Sequence, residues 1–256
     1  MKEPPVNPTL ESLDRRSSTR VYAPTPITEA EKAAILSATF RAPTGGNMML
    51  YSIIDVQDQA RKDRLVATCD DQPFIAKAPW VLVFVADLQK WIDLFEYCDV
   101  ASLKGEPRTP GMGDLLLACS DALIAAQNAV IAAESLGIGS CYIGDILENA
   151  EEHIAMFDLP PHTLPVAMLC FGRAALERPR VPRHTAHMVH ADRYERLTQS
   201  ELCATLAELE AEYASHGNQP GIANYGQAIY QRKYASDYMA EMNRSVDVWL
   251  ERWRGR

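Results

Sequence analysis

The sequence has 256 residues and a formal net charge of −9, and 47% of its residues are hydrophobic. This length allows one large domain or two small ones with a sizeable core. The acidic balance argues against nucleic acid as a partner, because proteins that bind it usually present a basic surface. Six cysteines are spread singly, without a CxxC pair or a Cys/His cluster. This pattern indicates buried thiols in a reducing compartment, and neither a disulfide framework nor a metal site.

The N-terminus has no apolar stretch of the kind found in signal peptides. The longest apolar runs, such as Trp80–Ala86, are far shorter than the ~20 residues that a membrane span needs. The sequence therefore predicts a soluble cytoplasmic protein with no membrane partner.

In chain order, the hydrophobic patterns of the first half predict two helices, two strands and a long third helix. The first helix begins at Thr28, and Glu31 three residues later completes a capping box. The long helix is apolar nearly all round, which predicts a buried spine of the domain or of a subunit interface. The predicted elements are the helix Thr28–Arg41, the strand Tyr51–Val56, the helix Gln59–Thr68, the central strand Trp80–Ala86 and the helix Asp114–Leu136, closed by Gly137.

The second half is predicted to continue with a strand, a helix and another buried strand, followed by two long polar helices. These elements are Ile138–Ile143, Asp145–Phe157, Leu164–Phe171, 192–215 and 224–251. The resulting fold class is α+β, a small buried sheet with helices on both sides. We predict a main domain over residues 1–190 and a helical extension over 191–256 that packs on the core or on a partner subunit.

Five short segments offer hydrogen-bonding groups or positive charge beside a glycine, a loop or a strand end. Arg15–Arg20 combines arginines with hydroxyls, which suits a phosphate or a ribityl chain. Arg41–Val56 has two glycines and an Asn in its opening loop, so that a flat polar group could approach its backbone. Each of these two segments, taken alone, also fits an ordinary surface loop or tight turn.

The other three segments lie further along the chain. Gln72 is held by Pro73, and its amide can pair with a cyclic imide. Gly137–Ile146 does not have the GxGxxG spacing of dinucleotide-binding folds, but it places free backbone N–H groups where a strand ends. Glu177–Arg183 carries arginines stiffened by prolines, as a phosphate clamp requires, although a charged connector explains it equally well.

Taken together and in this order, the five segments make the sequence resemble the FMN-dependent nitroreductase family, in its branch with a long C-terminal helical extension. The similarity covers about Ser12 to Arg183. It implies a central, mostly antiparallel sheet flanked by helices in a domain-swapped type of homodimer. The cofactor it implies is FMN, and NAD(P)H is the implied co-substrate.

The resemblance also implies roles for residues of the first two segments. Arg16, Ser17 and Ser18 correspond to positions at the phosphate and ribityl chain, although Ser17 stands where relatives have Arg or His. Arg20 corresponds to a position near the N1/O2 edge of the flavin. The second segment matches the family loop at Pro43, Thr44 and Asn47, and in the family this loop closes over the flavin bound mainly to the other subunit.

The remaining segments supply the rest of the implied cofactor site. Gln72 corresponds to a Gln that faces the flavin pyrimidine. Tyr142, Ile143 and Gly144 resemble the Tyr-Ile-Gly-Gly turn, whose backbone N–H points at flavin N5, with Asp145 in place of the second glycine. The phosphate clamp is matched by Arg178 and Arg180.

The implied reaction is a ping-pong hydride transfer through flavin N5, from NAD(P)H to a nitroaromatic, a quinone or a free flavin. It needs no catalytic side chain from the protein, because the cofactor brings the chemistry. Two other hypotheses stay open: another FMN-dependent reaction on the same fold, such as reductive dehalogenation or flavin destruction, and a flavin-binding redox sensor with little turnover. The spacing of His184, His187 and His190 predicts no metal site.

Overall fold

A computed structural model describes residues 7–103, 107–176, 183–213 and 221–255 of the chain. It divides into two compact units, one of Met1–Arg180 with Glu241–Arg256 and one of Val181–Ala240. The division into a main domain over residues 1–190 and a helical extension over 191–256 stays a prediction.

The first unit is built on one four-stranded antiparallel sheet. The two central strands are almost entirely apolar and fully buried, as a strand covered on both faces must be. The strand order is β1-β2-β4-β3, so the third strand in sequence lies at an edge. The strands are β1 Tyr51–Asp55, β2 Trp80–Asp87, β3 Gly139–Ile143 and β4 Thr163–Gly172.

Among the described residues, seven helices of the first unit precede the C-terminal region, and each sequence-predicted strand of the sheet is confirmed within two residues. The helix that begins at Thr28 has the predicted capping box: Glu31 N–H donates to Thr28 Oγ1 at 3.2 Å, and Thr28 N–H donates to Glu31 Oε2 at 2.9 Å. The helices are α1 Pro8–Arg15, α2 Glu29–Thr39, α3 Gln59–Thr68, α4 Phe74–Lys77, α5 Gln89–Tyr97, α6 Met112–Ser135 and α7 Ala150–Phe157.

Helix α6 is the predicted spine, and its two faces differ. One face is lined by alanines and packs fully buried against the sheet, whereas Leu116 and Leu117 lie exposed on another. Gly137 follows the helix with φ +69°, the left-handed conformation that favours glycine at a helix end. With 24 residues, α6 is long and apolar enough to cross a membrane by length and composition alone, so the expectation that every apolar stretch is too short is wrong for this helix. Its alanine face identifies it as a core helix.

The prediction of one helix over Asp145–Phe157 is wrong. A 3₁₀ turn at Asp145–Leu147 is separated from α7 by Asn149, which has φ +50°. The Asn149 side chain donates to the carbonyl of Thr68 at 2.9 Å, and its N–H donates to Glu241 Oε1 at 3.1 Å. These long-range bonds hold the break open.

Of the two predicted polar helices of the C-terminal region, 192–215 begins later than predicted, and 224–251 is interrupted. The described elements are α8 Gln199–Tyr213, α9 Tyr225–Ile229, a π-helical turn Tyr230–Tyr234 and α10 Asp237–Trp253. From Glu241 onward, α10 belongs to the first unit, where Trp249 and Trp253 are buried. The indole N–H of Trp249 donates to the Leu147 carbonyl at 3.1 Å, next to the broken helix.

Candidate functional site

The segment that follows α1 runs beside the edge strand β3. Ser18 forms a parallel bridge with Ser140, and the N–H of the buried Thr19 donates to the Ser140 carbonyl at 2.9 Å. This pairing fixes the segment along the strand. The predicted cofactor ligands that it carries are the half-buried Arg16, Ser17 and Ser18 and the exposed Arg20.

A glycine makes the close approach of this segment possible. A Cβ atom on Gly139 would overlap Thr19 Oγ1 and lie 2.8 Å from Thr19 Cβ. Gly172, on the neighbouring strand, similarly leaves room for the ring of Tyr22, since a Cβ there would lie 2.9 Å from Tyr22 Cγ. The two strand glycines therefore allow the segment that follows α1 to pack closely on the sheet at Thr19 and at Tyr22.

The end of the first segment lies against the third. The Arg20 guanidinium carbon stands 5.7 Å from the ring centroid of Phe74, within the range of a cation–π contact. Phe74 opens α4 two residues after Gln72. The contact brings a positive charge to the neighbourhood of the predicted pyrimidine ligand.

Gln72 joins the third segment to the fourth. Its side-chain Nε2 donates to the Cys69 carbonyl at 2.9 Å and to Asp145 Oδ2 at 2.9 Å. Asp145 is the residue that replaces a glycine of the family turn, and its role could not be interpreted from the sequence. The structure shows it to be a hydrogen-bond partner of the Gln72 amide.

The turn that ends β3 contains the last three predicted ligands of this group. Ile143 is buried, and the partly exposed Tyr142 donates its hydroxyl to Gln127 Oε1 at 3.3 Å. Burial raises the pKa of Tyr142 to about 12, against the lowering effect of Arg16 nearby. Among the described residues, no side chain caps the 3₁₀ turn that starts after Gly144, and a Cβ atom on Gly144 would meet nothing within 4 Å. The backbone at this point therefore faces open space.

This group of residues fits FMN by its chemistry. The half-buried arginine and the two serine hydroxyls suit a phosphate and a polyol chain. Arg20 adds positive charge, and the open turn at Gly144 lets a ring approach the backbone without a side chain in the way. Three of the five predicted segments, those of Arg15–Arg20, Gln72 and Gly137–Ile146, thus come together around the end of β3.

The loop with Pro43, Thr44 and Asn47 has a different anchor. The carboxylate of Asp121, buried in the middle of α6, accepts hydrogen bonds from the N–H groups of Gly45 and Leu50, at 3.0 and 3.1 Å. Sequence reasoning missed Asp121, although an acidic residue in the middle of a long apolar helix is a recognisable signal.

Within the loop, Thr44 Oγ1 accepts from the N–H of Met49 at 3.2 Å. Pro43 and Asn47 are exposed. Asn47 and Met49 both have positive φ, so the loop is held in an uncommon backbone conformation. The fifth segment was predicted to clamp the phosphate through Arg178 and Arg180, and both residues lie outside the described part of the chain.

Comparison with known proteins agrees with this architecture. The solved structure of NfrA1 from B. megaterium superimposes with a TM-score of 0.81 at 27% identity, covering 95% of this chain and 98% of that one. The fold is therefore that of a nitroreductase, as predicted. The profile of the Nitroreductase family matches residues 13–173.

Two curated relatives extend the similarity to most of the chain. The FMN reductase [NAD(P)H] of Bacillus subtilis (strain 168) is 30% identical over 239 residues, 90% of this chain and 93% of the relative. The oxygen-insensitive NADPH nitroreductase of Salmonella typhimurium (strain LT2) is 33% identical over 215 residues, 83% of this chain and 85% of the relative. The chain belongs to the Nitroreductase family.

Proposed function

We propose that the protein is an FMN-dependent NAD(P)H oxidoreductase that reduces nitroaromatics, quinones or flavins. The observation that carries this proposal is the meeting of the basic Arg15–Arg20 segment, Gln72 and the open turn at Gly144 around the end of β3. The names of the two relatives, an NAD(P)H-dependent FMN reductase and an NADPH nitroreductase, support the choice of cofactor and reductant.

When bound, FMN would supply the chemistry, a hydride transfer from NAD(P)H to the acceptor. In this scheme Arg16, Ser17 and Ser18 bind the phosphate and ribityl chain, through charge-assisted and neutral hydrogen bonds. Arg20 holds positive charge at the N1/O2 edge, where it stabilises negative charge electrostatically. Gly144 offers a backbone N–H toward N5. Because no nucleophile is required, we give no side chain a catalytic role.

The first test is the absorbance spectrum of the purified protein, with the chromophore identified after its release by heat. Flavin bands, with FMN released at about one per chain, are the expected result. A colourless protein that does not take up added FMN would contradict the proposal.

A second test separates an enzyme from a flavin-binding sensor. Oxidation of NADPH and of NADH is followed at steady state with a quinone, a nitroaromatic and free FMN in turn. Parallel lines in double-reciprocal plots are the sign of ping-pong turnover. Bound FMN with negligible turnover on every acceptor would instead favour the sensor, and turnover restricted to a halogenated substrate would favour dehalogenation.

We further propose that the protein works as a cytoplasmic homodimer with α6 at the subunit interface. The support is that α6 anchors the Pro43–Asn47 loop through Asp121 and exposes leucines at positions 116 and 117. The family resemblance implies that this loop reaches the partner's cofactor. Light scattering is expected to give twice the mass of the chain.

The interface is tested with charge substitutions. Leu116→Asp with Leu117→Asp is expected to give monomers that lose FMN, since two buried carboxylates cannot be paired there. Leu103→Asp, at an equally exposed leucine outside α6, serves as the control and should remain dimeric. A wild-type monomer, or a dimer in the double variant, would contradict this interface.

A further inference from the structure

Both hydrogens of the Gln72 amide are engaged by the protein. One is donated to the Cys69 carbonyl and the other to Asp145 Oδ2, each at 2.9 Å. A main-chain carbonyl can only accept, so these partners also determine which end of the amide is nitrogen. Oε1 is therefore the side-chain atom that Gln72 can offer to a ligand, and it can only accept.

The backbone of Gln72 leaves little freedom to change this arrangement. Its N–H donates to the Val66 carbonyl at 3.3 Å, and its own carbonyl accepts from Ile75 N–H at 3.1 Å. The next residue is Pro73, which has a fixed φ. In the described part of the chain, no hydrogen-bond donor contacts Oε1, and this atom is not among the buried unpaired ones. The amide oxygen is thus both fixed in direction and accessible.

Glu148 is the buried acidic neighbour of Asp145. It is 5% exposed, and burial, followed by the charges of Asp145, Asp70 and Glu241, raises its pKa to about 7. The Glu148 N–H donates to the Asp145 carbonyl at 3.0 Å, which closes the turn beside the Gln72 contact.

A flavin presents a matching group. Its pyrimidine ring has one N–H, at N3, between two carbonyls that can only accept. An amide with both hydrogens free could bond either to N3–H or to a flanking carbonyl, whereas an amide restricted to its oxygen can bond only to N3–H.

We propose that Asp145 is a positioning residue that fixes the Gln72 amide with its oxygen toward the ligand, so that the site recognises flavin through N3–H. This inference rests on the proposed function and names the atom by which the cofactor is selected. It gives a role to the one acidic residue that departs from the family turn.

The test compares FMN with 3-methyl-FMN, in which a methyl group replaces the N3 hydrogen. Dissociation constants are measured by flavin fluorescence at pH 7 for the wild-type protein, Asp145→Ala and Asp145→Asn. The wild type is expected to bind 3-methyl-FMN about tenfold more weakly than FMN, as expected for a buried hydrogen bond that is lost with one partner left unpaired. In Asp145→Ala this ratio should fall to about twofold, because the amide then keeps only its bond to the Cys69 carbonyl and its second hydrogen can bond a flavin carbonyl instead.

Asp145→Asn is the conservative control, since its side-chain oxygen can still accept from Gln72 and should preserve the tenfold ratio. A ratio in Asp145→Ala equal to that of the wild type would overturn the inference. If Asp145→Ala does not fold, Gln72→Leu decides: the two flavins should then bind equally, and a persisting tenfold ratio would refute recognition through Oε1. Failure of the wild type to bind FMN at all would instead contradict the proposed function.

Discussion

Replacing Gly139 by alanine tests whether the close seating of the Arg15–Arg20 segment is what forms the cofactor site. The added Cβ would lie 2.8 Å from Thr19 Cβ, and 3.4 Å is the lower limit of ordinary contact. Rotation of the Thr19 side chain can relieve the overlap with Oγ1, but Cβ does not move in that rotation, so the segment must still shift by about 0.6 Å. Thr19 is buried and bonded to the Ser140 carbonyl, so this movement strains the pairing with β3.

The size of the effect follows from overpacking. Forcing extra volume into a packed site typically destabilises a protein by about 1–3 kcal/mol. We expect the free energy of unfolding to fall by that amount. Arg16, Ser17 and Ser18 belong to the displaced segment. We therefore also expect FMN to bind about tenfold more weakly, which corresponds to a loss of about 1.4 kcal/mol in binding free energy.

Urea unfolding followed by circular dichroism measures the first quantity, and quenching of flavin fluorescence measures the second. Gly113→Ala is the matched control, because a Cβ atom there meets nothing within 4 Å. It lies in the first turn of α6 and should leave FMN binding unchanged, with stability equal or higher by up to about 1 kcal/mol.

A second substitution distinguishes the proposed contact from a general loss of backbone freedom. Thr19→Gly removes all three atoms that the new Cβ would touch. In a double-mutant cycle, Thr19→Gly should therefore recover at least 1 kcal/mol of what Gly139→Ala loses, by the usual measure of coupled neighbours. Additive effects, or a Gly139→Ala variant that unfolds and binds FMN like the wild type, would refute the reasoning.

Three further predictions concern buried or charged groups near the site. Asp121→Asn keeps only one acceptor for the two loop N–H groups, so it should lower the free energy of unfolding by about 1–3 kcal/mol in urea and weaken FMN binding. Unchanged stability and unchanged FMN affinity would contradict this. The raised pKa of Glu148 means that the folded state holds its proton more tightly than the unfolded state, so wild-type stability should fall as pH rises from about 4.5 through about 7. The Gln side chain of Glu148→Gln does not titrate. After an allowance for solvent screening, the free energy of unfolding of this variant should exceed that of the wild type by roughly 1–2 kcal/mol at pH 8 and by little at pH 4.5. Glu151→Gln is its control: Arg244 lowers the pKa of Glu151 to about 2, so its loss of stability should be the same from pH 5 to 9. Arg178→Ala combined with Arg180→Ala should abolish tight FMN retention, and full flavin occupancy of the purified variant would contradict the assigned clamp.

Local signals account for the parts of the fold that were predicted correctly. The capping box at Thr28 and Glu31 involves residues three apart, so its sequence signature is sufficient to locate the start of α2. The strand at Trp80 is apolar at every position except its last, which is enough to place it at the centre of the sheet. Such elements depend on neighbours in sequence and are readable without the rest of the chain.

Elements that depend on distant partners were not readable. The break between Leu147 and α7 is fixed by hydrogen bonds from Asn149 to Thr68 and Glu241, which lie 81 and 92 positions away in the sequence. Helix α5 was missed although Trp91, Ile92 and Phe95 recur at helical spacing; its contact with the preceding loop, where Trp91 donates to the Met48 carbonyl, was not visible in the sequence. At Asn149, by contrast, the tertiary bonds override what the local pattern favours.

The candidate site divides along the same line. The order of motifs predicts Arg16, Gln72 and Gly144 as ligands, because motif residues are recognised one at a time, and this assignment stays a prediction. The residues that support these positions were not visible in the sequence, since Asp121 and Asp145 bond to backbone or side-chain groups more than 70 positions away. A family pattern therefore predicts binding residues and leaves their supports unnamed.

Asp145 shows what this difference means for function. Asp145 departs from the family pattern, because it places an acidic side chain where the turn usually has glycine. Its carboxylate accepts a hydrogen bond from the Gln72 amide, which would otherwise have a free hydrogen. Restoring the family residue with Asp145→Gly should therefore make the turn more typical and the selection of flavin through N3–H weaker. We therefore expect the site to follow its family in the ligands it presents and to depend on Asp145 to orient the Gln72 amide.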